Sequence, residues 1–146
     1  MRETENPVDA VVRLLSGNMH VVKADGSLAK ISVSREWLSQ EALQNVDGHV
    51  TVSLAESRDE KIELSGRLRR RLINFRVNVW SFDPQIRFKM VEEVNRVVRQ
   101  NRNNPCEGLA YLDVVNYRDI DRVDVKPFIY RTEFVLKSWV LEDLGV

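Results

Sequence analysis

Apolar and polar positions change their period once, sharply, in the middle of the chain. Over 73–79 every second residue is apolar (Ile73, Phe75, Val77, Val79), with Asn74, Arg76 and Asn78 between them. A period of two predicts a strand with one face on a core. Asp83-Pro84 follows. Asp is a favoured helix N-cap because its carboxylate accepts from orphan amides, and Pro suits the first helical residue because its φ is already set. Ile86, Met90, Val94, Val97 and Val98 then form one helical stripe. A helix over 84–102 would be roughly 28 Å long, enough to cross a small sheet.

The same logic organises the rest of the chain. Asn6-Pro7 opens a first helix whose stripe is Val8, Val11, Val12 and Leu15, with Gly17 a plausible stop. So short a helix must dock on something. Residues 20–22 predict a short strand, 24–27 a turn, and Ile31 and Val33 the returning arm of a hairpin. Residues 34–45 are ambiguous between a short helix and a loop. Val50, Val52 and Leu54 alternate as a strand. Residues 55–65 are highly charged and predict a mobile loop first, a hairpin tip second. Leu109 to Tyr117 alternates as a strand, 118–125 predicts a loop or ragged edge, and 128–141 predicts a long last strand. The expected fold is α+β: one domain over 1–146, a mostly antiparallel twisted sheet with one long helix and the N-terminal helix packed on it.

Composition narrows the function classes. The chain has 146 residues, 43% of them hydrophobic, which suits one domain with a real core. Net charge is zero, so the whole molecule is not an electrostatic nucleic-acid binder. One cysteine, Cys106, excludes an internal disulfide. The acidic, polar start is not a signal peptide, and no run approaches the ~20 apolar residues of a membrane span. The expectation is a soluble protein made in the cytoplasm, with no membrane partner.

Catalytic chemistry finds little to stand on. His20 and His49 have no further ligand at metal spacing, and Cys106 has no nearby base. RDIDRVDVK holds Asp119, Asp121 and Asp124, but alternating basic residues and a missing Gly argue against a calcium loop. The glycines form no phosphate-binding motif. No enzyme, metal or cofactor is expected. What remains is charge. Arg69, Arg70 and Arg71 precede the central strand, and Arg87, Arg96 and Arg99 make the long helix's polar face basic. Asp119, Asp121 and Asp124 are acidic, so a basic face on one copy could meet an acidic loop on the next; a solvated surface is the plainer reading. Trp139 falls opposite the more apolar face of the last strand, where a covering helix or another subunit would shield it.

The order PVDAVVRLLSG, LINFRVNVWSFD, PQIRFKMVEEVNRVVRQN, GLAYLDVVNY and FIYRTEFVLKSWVLE resembles the tail-terminator and tail-completion proteins of tailed viruses of bacteria and archaea. The resemblance covers the first helix and everything after Arg70; residues 17–66 match poorly and read as a local elaboration. It implies a structural subunit forming a ring, usually of six copies. That ring would cap the tail tube and join it to the head connector, with DNA passing non-specifically through its centre. It places the protein in the virion at the head–tail junction, and in the host cytoplasm during assembly. Two alternatives stand beside it: a connector or adaptor of the same particle, and a cellular α+β binding module for a small molecule or protein.

Overall fold

The computed structural model describes residues 6–35, 43–61, 68–103, 105, 109–124 and 126–143, without the side chains of 59–61, 68–69 and 141–143. Its elements are α1 (Pro7–Asn18), β1 (Ile31–Ser34), β2 (Gly48–Lys61), β3 (Leu68–Ser81), α2 (Pro84–Gln100), β4 (Tyr111–Asp119) and β5 (Tyr130–Asp143). Both helices start as their sequences dictate. Asn6 Oδ1 accepts from the Val8 amide at 2.9 Å, and Asp83 Oδ1 from the Gln85 amide at 2.8 Å, each with Pro in the first turn.

The strands form one five-stranded sheet in the order β1-β2-β3-β5-β4. β2 pairs with β3, β3 with β5 and β5 with β4, all antiparallel, while β1 pairs with β2 in parallel. The sheet is therefore mixed, and the expected antiparallel arm at Ile31 and Val33 is corrected. The hairpin is only the Val22–Leu28 bridge closed by Gly26 at φ 87°. The chain then leaves to lie along β2. Asp47 fixes that turn: its carboxylate accepts from the Lys30 amide at 2.6 Å and its own amide donates to the Lys30 carbonyl at 2.9 Å. The connection over 35–47 is about as long as a parallel crossover needs. Leu43 and Gln44 within it are helical; 36–42 lie outside the described residues.

One face of the sheet carries the core. Val50 and Val52, Phe75, Val77 and Val79, Phe134 and Leu136, and Leu112 are all fully buried on it. α1 contributes Ala10, Val11, Leu14 and Leu15, and α2 contributes Ile86, Met90, Val94, Val97 and Val98. The alternation of β3 and the stripe of α2 meet as expected. Gly48 sits beneath α2, where a Cβ would run into the Met90 thioether.

One further expectation is corrected, and one pair of alternatives is resolved. Residues 55–61 are not loop but the second half of β2, paired with β3 as a long hairpin arm; 62–65 lie outside the described residues. β4 continues through Asp119 and Arg122 bridges to Ile129, so of the two readings for the acidic stretch the ragged strand edge fits. Both helices lie on the core face, so no helix of the described residues covers Trp139.

Candidate functional site

The uncovered face is built from alternate residues of the same strands. Leu72 of β3 lies opposite Trp139 of β5, and Trp139 lies opposite Tyr111 of β4. Opposed residues share a face, so these side chains converge. Trp139 stacks on Tyr111 at 4.1 Å between centroids, with 5° between the planes. The Arg70 guanidinium lies 5.4 Å from the Trp139 ring, within cation–π range. Tyr111 donates its hydroxyl to Asp113 Oδ2 at 2.9 Å. Desolvation first, and that bond second, hold the phenol above its ordinary pKa, so it stays protonated. Beside the stack is a cleft of about 340 Å³, lined by Glu56, Arg58, Arg70, Leu72, Asn74, Lys137 and Trp139. Among the described side chains its lining carries three cations and one carboxylate.

The other end of this face is closed. Leu43, Val46 and Phe82 pack with Trp80 and Ile129 as a second small cluster. His49 is buried there, with Nδ1 2.6 Å from Ser32 Oγ and Nε2 3.2 Å from Ser34 Oγ. Burial pushes its pKa below the ordinary histidine value. Both ring nitrogens are occupied by hydroxyls of the neighbouring strand, so His49 ties β1 to β2.

The charged residues singled out from sequence divide into three groups. Arg87 meets Asp121 at 2.6 Å and Asp119 at 3.5 Å within the chain, and it also donates to the Arg131 carbonyl. Asp119 accepts from Thr132 Oγ1 at 2.6 Å. Arg87 and the acidic strand end thus pair inside one copy. Arg96 is likewise engaged, donating to Glu93 at 2.7 Å and to the Asn18 carbonyl at 2.7 Å. The Arg96 hydrogen bond holds Glu93 below its ordinary pKa. Arg99 and Asp124 are exposed. Arg71 donates Nε to Ser57 at 3.1 Å, on the helix side of the hairpin. Arg69 falls on β3, but its side chain lies outside the description, as does all of Cys106.

Sequence reasoning named Trp139 and Arg70 but missed Tyr111, Leu72 and Lys137. They are joined only because β5 inserts between β3 and β4, a pairing that no local pattern announces. Among the described residues no three His, Cys, Asp or Glu side chains gather as a metal site, and no helix is long and apolar enough to cross a membrane. No protein-family model matches the chain, and no curated protein matches it.

Proposed function

We propose that this chain is a non-enzymatic structural subunit of a viral tail, a terminator or completion protein that acts by assembling into a ring. The observation that carries the reading is the Trp139 end of the sheet's second face, which no helix or strand of the described residues covers. It holds a Tyr111–Trp139 stack under Arg70, and Tyr, Trp and Arg are the residues enriched where proteins meet proteins. The two routes to shielding Trp139 are a covering helix and another subunit; α1 and α2 lie on the opposite face and the helical Leu43 packs at the Trp80 end, so no helix of the described residues shields Trp139, which favours the subunit. The element order, with a helix, a long hairpin, a long helix and two more strands, supports the same family resemblance.

In this reading the partners are further copies, in a ring of about six by the resemblance, together with the tail-tube protein and the head connector. DNA passes through without base-specific contacts. The site of action is the virion's head–tail junction, after assembly in the host cytoplasm. A connector or adaptor position in the same particle uses the same surfaces. The cationic cleft at Arg58, Arg70 and Lys137 favours a second reading, a binding module for a small anionic ligand. Mass in solution and electron microscopy, alone and beside the tail-tube protein, test the proposal. Rings are expected. A monodisperse monomer at high concentration, with no ring in either sample, removes it.

A further inference from the structure

The sheet ends in two different open edges. β1 covers β2 only from Gly48 to Thr51, so among the described residues positions 52–61 present unpaired backbone on that side. At the far end β4 has β5 as its one strand neighbour; the Leu112 amide donates to the Arg102 carbonyl and the Val114 amide to Asp113 Oδ1, so among the described residues the open part of this edge is Val115–Asp119. Unpaired edges are templates for strand addition, and natural proteins leave long ones open for a reason.

We propose that the open edge of β2 in one copy pairs antiparallel with the open edge of β4 in the next, so that the sheet runs on from copy to copy. This rests on the ring reading and supplies its joint. The directions fit. β2 is antiparallel to β3, β3 to β5 and β5 to β4, so β4 runs opposite to β2. A neighbour in the same orientation therefore offers β4 in the antiparallel sense. Because the edges differ, the contact is head-to-tail, the kind that closes into rings.

The irregularities of the two strands set the register. β2 carries one extra residue between Leu54 and Glu56, and β4 one between Val114 and Asn116. Aligning them puts Leu54 opposite Tyr117, Glu56 opposite Asn116 and Arg58 opposite Asp113. The faces agree at each step: Leu54 lies opposite Phe75 and Tyr117 opposite Phe134, both on the helix side. A slip of one residue would invert every pair. In this register the half-exposed Leu54 (50%) and Tyr117 (51%) cover each other, and the Arg58 cation faces the Asp113 carboxylate.

Site-directed cross-linking of the full chain tests this, in a Cys106→Ser background. Glu56→Cys and Asn116→Cys are prepared separately, mixed and oxidised. Within one copy the two positions are three strand spacings apart, roughly 14 Å, beyond the ~7 Å a disulfide can bridge. The mixture is expected to give a covalent dimer that neither variant gives alone, and the double variant a ladder ending at the ring's copy number. A dimer from Glu56→Cys alone as strong as from the mixture overturns the proposal in favour of β2 on β2. Rings that form without the mixed cross-link overturn the edge pairing while the ring reading stands. A chain that stays monomeric overturns both. Leu54→Lys is the second variant: an unchanged melting temperature with loss of the oligomer is expected, and an oligomer that persists overturns the pairing.

Discussion

The two faces of this sheet come from the same strands, one residue out of step, and they follow different chemistry. The helix side is aliphatic and phenyl: Val50, Val52, Phe75, Val77, Val79, Phe134 and Leu136, all fully buried. The other side carries Arg76, Lys137, Trp139 and Tyr111 at its open end, and the buried Trp80 and Asn78 where it is closed. Hydrocarbon without polar atoms suits a permanently dry core, whereas aromatic rings with a polar handle and long cations suit a surface that is wet in one state and covered in another. The difference separates the residues that fold the chain from those left to meet something else.

The largest test of that division is Phe75→Ala. The ring is fully buried between helix and sheet, so its loss should cost about 3–5 kcal/mol, read from urea melts of the isolated chain. A cost below 1 kcal/mol (roughly) would mean that this face is not the core. Arg87→Met comes next. It removes the bonds to Asp121 and the Arg131 carbonyl that hold α2 on the β4–β5 connection, and should cost about 2 kcal/mol. The exposed Asp124→Ala serves as its neutral control. Trp139→Ala should cost the isolated chain only about 1–2 kcal/mol, because the residue is only partly buried and loses chiefly its stack on Tyr111. Its assembly should suffer far more, measured by the concentration at which the oligomer half-dissociates. Equal losses of stability and assembly would erase the distinction between the faces.

Legibility in the sequence followed the range of the interactions. The caps at Asn6 and Asp83, the alternation of β3 and the stripe of α2 act within a few residues, and each was read in place. The insertion of β5 between β3 and β4, and the parallel lie of β1, are decided by distant segments and leave no local trace. Residues 55–61 misled for a different reason. Residues 55–58 of that strand are exposed and carry no apolar stripe, so its charged residues resemble a loop. The trace was in the pairing: Asp59 and Glu60 lie opposite Arg71 and Arg70, a match of signs that only a proposed register exposes. Val115 hid the fate of Tyr117 similarly. One extra residue moves Tyr117 to the helix side, onto Phe134 at 5.1 Å.

The smallest effect probes the corner where the open face is closed. His49 is buried opposite Trp80 on this face, and burial holds its pKa below the ordinary 6.5. As pH falls through 6.5 the unfolded chain takes up a proton at this ring before the folded chain does. Stability therefore declines as pH drops below that value and stops declining from this source once the folded ring is also protonated. His49→Gln, which can still hydrogen-bond Ser32, should flatten that part of the profile while leaving the curve above pH 7 (about) parallel to the parent. Chemical-denaturant midpoints across the window measure the slope. An unchanged slope in the variant would mean that water reaches the ring, and that this corner is as open as the Trp139 end.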